Sequence, residues 1–313
     1  TLAKKHNLTG WAFLLPATLL IGWMSFYPMI RAFILSLQTG MGVNLSFNGF
    51  ANYARILKDP TFKQTLFNTF FYLIVQVPIM LVLALMFASM LNNKDLRFKG
   101  LFRTCIFLPC ATSLVSYAMI FRSLFANDGF INMVLRSLGM SPIMWFGNAW
   151  TARAVINSIL IKLGILSTGY NFLGNSASAK IVIILALIWR WTGYNMVFYL
   201  AGLQNIEYSV YEAAKIDGAS PMQSFFKITV PLLKPTILLT AITSTNGTLQ
   251  LFDESLNLTN GGPGKSTMTM SHYIYNISFK QSPNFGYAAA MSILILIMVA
   301  ILAILQMKVG DER

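Results

Sequence analysis

Long apolar runs dominate the chain, and polar or basic residues bound each of them. A helix needs about 20 mostly apolar residues to cross a bilayer. Six segments meet or approach that length: 11–37, 67–91, 101–121, 181–203, 236–252 and 287–307. Pro109 lies inside the third and is expected to interrupt it, because proline has no N–H and its ring clashes with the preceding turn. The fifth is short and polar. Its Thr240, Thr243, Asn246, Gly247 and Gln250 recur at spacings that share one helical face. The pattern predicts an all-α integral membrane protein, a single domain over 1–313 with six spans and both termini on one side.

The short loops suggest an orientation. Lys94, Arg97, Lys99 and Arg103 crowd between the second and third spans against one Asp95, and Lys4 and Lys5 precede the first. Basic loops stay in the cytoplasm, so both termini and the loop 205–235 are expected there. Loops 38–66, 122–180 and 253–286 then lie outside. Within 122–180, Ile131-Asn132-x-x-Leu135-x-x-Leu138-Gly139 recurs as Ile156-Asn157-x-x-Leu160-x-x-Leu163-Gly164. Neither copy is long enough to span. Each predicts an amphipathic helix on the outer surface.

Composition agrees. Of 313 residues, 56% are hydrophobic and 11% are charged, whereas a soluble domain carries about 25% charged residues. The net charge of +13 fits basic flanks at an anionic membrane face better than a nucleic-acid partner. Cys105 and Cys110 give neither a disulfide framework nor a metal spacing and read as small core residues. The first apolar run is too long for a cleaved signal peptide. No paired carboxylates, nucleophile triad or metal cluster emerges. His6 and His272 fall far apart in this topology. Gly262-Pro263-Gly264-Lys265-Ser266-Thr267 imitates a phosphate-binding loop, but the motif needs glycine at 259 and Thr259 stands there.

The most informative segment lies between the fourth and fifth spans: Glu212-Ala213-Ala214-Lys215-Ile216-Asp217-Gly218, then Ile228-Thr229-Val230-Pro231. The alanines favour helix, and Gly218 is suited to end it. Ser220 can cap a second helix with Pro221 in its first turn. Pro231 and Pro235 are expected to break the chain before the fifth span. The result is a helix-turn-helix elbow shaped to dock into a groove.

This segment resembles the EAA loop of ABC importer permeases, with Val230 where the family usually has leucine. The resemblance implies a type I ABC importer permease core, and a coupling role for Glu212, Ala213, Ala214, Asp217, Gly218, Ile228 and Pro231 against a cytoplasmic ATPase. Further stretches resemble the carbohydrate branch, near the maltose permeases: Gly49-Phe-Ala-Asn52-Tyr53 with Asp59, Phe62 and Asn68-Thr69; Trp191 to Met196 with Leu203-Gln204-Asn205-Ile206; and Leu258-Thr-Asn-Gly-Gly-Pro263. The implied assembly is a second, non-identical permease, two ATPases using ATP and Mg, and an extracytoplasmic solute-binding protein at the bacterial inner membrane. This chain itself would bind no cofactor and catalyse no reaction.

Substrate-cavity candidates are Arg190, Trp191, Tyr194 and Asn195 on the fourth span, and Thr243, Asn246, Gly247 and Gln250 on the fifth. Amides offer sugar hydroxyls both donors and acceptors, and aromatic rings can cover a pyranose face. Arg190 stands open between two roles: receiving the carboxylate of an acidic sugar, or a structural one in which it either leans outward or pairs with Asp253 or Glu254. Alternatives are another ABC branch (amino acid, phosphate or polyol phosphate), or a secondary transporter. The latter needs intramembrane acids, and only Asp253 and Glu254 approach membrane level.

Overall fold

The structure is a computed structural model and describes residues 2–41, 44–93, 96–146 and 177–310. Helix α1 (Leu2–Ile21), a π-helical stretch at Gly22–Phe26 and α2 (Tyr27–Ser36) run on as one rod. The register widens just before Pro28, which has no N–H to continue the ladder. Strands β1 (Gln38–Met41) and β2 (Asn44–Phe47) follow as an antiparallel hairpin, pairing Gln38 with Phe47 and Gly40 with Leu45. This corrects the all-α expectation: a short polar hairpin gives no signal against the long apolar runs around it.

Helices α3 (Ala51–Lys58) and α4 (Pro60–Asn92) come next, then α5 (Lys99–Ala111), α6 (Leu114–Leu124) and α7 (Phe130–Ser137). After them come α8 (Ala177–Gln204), α9 (Tyr208–Ile216), α10 (Pro221–Ser224), a π-helical stretch at Phe225–Thr229, α11 (Val230–Leu232) and α12 (Lys234–Leu249). The chain closes with α13 (Asp253–Thr259), α14 (Met270–Tyr275), a third π-helical stretch at Asn276–Lys280 and α15 (Phe285–Gly310).

Among the described residues, four helices are long and apolar enough to cross a membrane: 10–36, α4, Ser178–Gln204 and α15. The count reaches six if α5 with α6, bent by 99°, and 221–232 with α12, bent by 68°, each form one span. The third segment is broken, though not at Pro109. The helix runs on to Ala111 and breaks at Thr112 and Ser113, whose ψ angles of 148° and 138° are extended. The Thr112 hydroxyl donates to the Pro109 carbonyl at 2.7 Å, closing the helix end. The Pro231 expectation shifts likewise. Pro231 follows the π-helical stretch Phe225–Thr229 within the continuous helix 221–232, where the widened register accommodates the missing N–H, and the bend falls at Leu233.

The chain divides into two compact units. The first comprises 1–62 and 273–298. Its Asn52 is buried, and the amide donates to the Ser36 and Gln38 carbonyls at 2.9 and 2.8 Å. Gly286 is required nearby, since a Cβ there would sit 2.0 Å from the Gln38 carbonyl oxygen. Asp59 accepts from the hydroxyls of Tyr273 at 2.6 Å and Tyr287 at 2.7 Å and from the Thr61 N–H at 2.8 Å. The Arg55 guanidinium lies 4.4 Å over the Tyr287 ring.

Burial pushes the Asp59 carboxyl up, but the Tyr273, Tyr287 and backbone hydrogen bonds outweigh it and hold the group below its usual value. A depressed carboxylate pKa stabilises the fold above the unfolded pKa of about 4, and that contribution fades as pH falls through the folded value. Asp59→Asn is therefore expected to lower the thermal midpoint at neutral pH, with the gap to wild type closing below about pH 4. Midpoints recorded against pH check this, and a gap that ignores pH would contradict it.

The second unit comprises 63–272 and 299–313. One cluster in its core joins Tyr72, Val182, Ile183, Ala186, Leu187, Leu251 and Leu258. Another joins Ala84, Ala88, Met196, Tyr199, Leu200 and Leu233. Cys105 is exposed and Cys110 half-buried, so neither is the core residue expected. The first repeat copy is α7, and it is not simply a surface helix. Its buried Asn132 donates to three backbone carbonyls and accepts from Ile143 N–H at 2.9 Å and Trp145 Nε1 at 3.3 Å. The second copy, 156–164, lies outside the described residues.

Candidate functional site

A cavity of about 470 Å³ opens within the second unit, inside the usual range of small-molecule sites, about 300–1,000 Å³. Helix α8 supplies Arg190, Trp191, Tyr194 and Asn195, and α12 supplies Thr243, Ser244, Gly247 and Thr248. Gln250 to Glu254 close one end, and α4 adds Gln76 and Met80. Helical phase explains the set. Residues 190, 191, 194 and 195 share one stripe, as do 243, 244, 247 and 248. Gly247 keeps the wall open, since a Cβ there would meet nothing within 4 Å.

A chain of polar contacts lines the wall. Ser244 donates to Asn195 Oδ1 at 3.4 Å, and Asn195 Nδ2 donates to the Trp191 carbonyl at 3.0 Å. Gln76 Nε2 meets Met80 Sδ at 3.0 Å, and Thr248 donates to Gln76 Oε1 at 3.3 Å. A thioether is a weak acceptor, so the Gln76 amide keeps donor capacity for a ligand. Trp191 and Tyr194 meet edge to face at 5.7 Å and give the cavity an aromatic corner.

Arg190 is only 7% exposed, and its guanidinium lies 4.8 Å over the Tyr117 ring and 5.5 Å over Trp191. Its Nε and Nη1 have no hydrogen-bond partner among the described residues. Glu254 is 4% exposed in the first turn of α13, beside Asp253. Burial pushes the Glu254 carboxyl up, while the nearby Tyr117 hydroxyl and Arg190 guanidinium pull it down. Arg190 thus does not lean outward: it is held in the cavity wall by aromatic faces, with Glu254 close by.

Seven of the eight cavity candidates come together: Arg190, Trp191, Tyr194, Asn195, Thr243, Gly247 and Gln250. Asn246 does not. It is exposed, bonds the Gln250 amide, and falls beyond the edge of the lining stripe. Thr240 is buried one turn away, hydrogen-bonded to Tyr199 at 2.8 Å. Gln76, Met80, Ser244 and Thr248 were not expected. Gln76 did carry a signal, as a lone amide inside the apolar run of α4.

The elbow forms as the sequence suggests. Gly218 ends α9 with φ +80°, and Ser220 caps α10 in a capping box. Ser220 Oγ accepts from Gln223 N–H at 3.3 Å, and Gln223 Oε1 accepts from Ser220 N–H at 2.8 Å. Tyr211 and Thr229 join the two limbs through their hydroxyls at 3.1 Å. Glu212, Ala213, Asp217, Gly218 and Pro231 are exposed, Ala214 is buried, and Ile228 is half-buried. The phosphate-loop mimic at 262–267 is occupied by its own contacts. Thr267 is buried, donates to the Gly262 carbonyl at 2.7 Å and meets the Thr259 hydroxyl at 2.7 Å.

Several apolar crossing helices, an internal polar cavity and an exposed elbow between two of the spans are the parts of a membrane permease. The sequence matches the family described as "Binding-protein-dependent transport system inner membrane component" over residues 53–311, and the chain belongs to that family. It is 47% identical to the lactose transport system permease protein LacF of Rhizobium radiobacter, over 100% of this chain and 97% of that one. It is 34% identical to the arabinooligosaccharides transport system permease protein AraP of Bacillus subtilis, over 91% of this chain and 83% of that one. The fold matches a chain in the crystal structure of a bacterial ABC transporter that imports the acidic polysaccharide alginate. The TM-score is 0.75 at 20% identity, covering 98% of this chain and 96% of that one.

Proposed function

We propose that this chain is a pore-forming subunit of an ATP-driven ABC importer that carries sugars or oligosaccharides inward by alternating access. The observation that carries the proposal is the cavity. It sets amide groups and the unpartnered Nε and Nη1 of Arg190 beside an aromatic corner, which is the chemistry a pyranose asks for. The lactose and arabinooligosaccharide permeases to which the chain is similar point the same way.

In this proposal Trp191 and Tyr194 stack on the sugar, while Asn195, Gln76, Thr243 and Gln250 bond its hydroxyls. The elbow, through Glu212 to Gly218 and Ile228 to Pro231, seats in a cytoplasmic ATPase that binds ATP and Mg. Closure of the ATPase pair moves α8 and α12 and opens the cavity outward to a solute-binding protein. A second, non-identical permease completes the pore. The termini lie in the cytoplasm, and the chain catalyses no chemistry itself.

The test is sugar uptake by the complete complex in proteoliposomes. Gln250→Ala removes an exposed cavity amide and is expected to lower uptake at limiting sugar by about tenfold, the usual range for one lost hydrogen bond to a ligand. Uptake equal to wild type would remove Gln250 from the site. No uptake of any saccharide by wild type would refute the proposal.

A further inference from the structure

We propose that Arg190, Asp253 and Glu254 form a charge-balanced triad that makes this cavity selective for uncharged saccharides, with Glu254 the residue that cancels Arg190. The inference rests on the chain carrying sugars. All three residues line the cavity, and they are the only charged side chains among its described lining residues. One cation shares the cavity lining with two carboxylates. With both acids ionised the net charge is −1, and with Glu254 protonated it is zero. In neither state is the cavity positive.

Arg190 alone would invite an anion, because its Nε and Nη1 are buried and without partners. The two acids change what those donors can receive. A uronate or aldonate entering the cavity would meet Arg190 but also lie against Asp253 and Glu254, and like charges set close together out of water are strongly disfavoured. A neutral polyol suits all three groups. Its hydroxyl oxygens accept from the guanidinium, and its hydroxyl protons go to the carboxylates in charge-assisted bonds. Glu254 is the natural cancelling partner. It is as deeply buried as Arg190, and Tyr117 is common to both: its ring lies under the guanidinium and its hydroxyl near the carboxyl.

The test compares a matched pair, lactose and its aldonic acid lactobionate. Each is titrated onto the complete transporter in nanodiscs without its solute-binding protein, so that the permease's own preference is read by saturation-transfer NMR. Wild type is expected to bind lactose about tenfold or more tighter than lactobionate. Glu254→Gln should tighten lactobionate about tenfold, with lactose changing by less than about threefold. The double variant Arg190→Gln/Glu254→Gln should lose that gain, which a purely structural role for Glu254 would not produce. Wild type binding lactobionate as well as lactose, or Glu254→Gln leaving the ratio unchanged, would overturn the inference while leaving the sugar proposal standing. Binding of neither ligand to wild type would overturn the inference, while the sugar proposal falls only if no saccharide is taken up. If Glu254→Gln fails to assemble, the wild-type ratio decides alone.

Discussion

Ile216→Asp is expected to cut ATP-driven uptake by about 30-fold or more while sugar still binds the cavity. Ile216 is 86% exposed at the end of α9, next to the Gly218 turn, and Met222 and Phe226 on the following limb are 67% and 59% exposed. In the proposed assembly the elbow seats in the ATPase, so these exposed apolar side chains are covered by that partner rather than by lipid. Such a patch marks a protein partner, and a central apolar anchor contributes about 2 kcal/mol or more at an interface. An aspartate there would be buried without a partner on docking. Uptake in proteoliposomes and co-purification with the ATPase subunit both read the effect. Wild-type uptake with the ATPase still bound would exclude Ile216 from the coupling surface.

Gly193→Val is expected to collapse the second unit rather than the coupling. A Cβ at Gly193 would lie 2.0 Å from the Ile106 carbonyl oxygen and 2.9 Å from the Phe107 Cα. Both are backbone atoms of α5 and cannot rotate away, so α5 and α8 would have to part. Overpacking a core costs about 1–3 kcal/mol even where side chains yield, and here the cost is expected at or above that range. Gly193 also sits between Trp191 and Tyr194, so the aromatic corner would be displaced. The thermal midpoint of the purified complex should fall by several degrees, with Gly193→Ala intermediate. Gly247→Ala should leave the midpoint unchanged, because nothing lies within 4 Å of its added methyl. A Gly193→Val protein as stable as wild type would refute the close packing.

The apolar periodicity made most of the spans legible, because a bilayer imposes length on any helix that crosses it. The elbow was legible residue by residue: Gly218 takes the positive φ its position needs, and Ser220 pairs with Gln223 as its cap. Other features depend on contacts that no local pattern records. The break after α5 falls at Thr112, where a side chain closes the helix, rather than at the proline itself. The Asp59 carboxylate draws on Tyr273 and Tyr287, more than 200 positions away along the chain. On α12 the polar stripe was visible, but which of its edges faces the cavity depends on α4 and α8. Ser244 and Thr248 therefore replace Asn246 in the lining. Arg190 stood out from sequence as a charge within a span, and its surroundings, the Tyr117 and Trp191 rings with Asp253 and Glu254 in the same cavity lining, could be known only from the fold.

The measurement closest to the central claim is ATP-dependent uptake of a panel of labelled di- and oligosaccharides into proteoliposomes holding the complete complex and its solute-binding protein. The account predicts uptake of at least one neutral saccharide that requires ATP, requires the solute-binding protein and is lost in Ile216→Asp. Uptake of no saccharide, or uptake that proceeds without ATP, would contradict it.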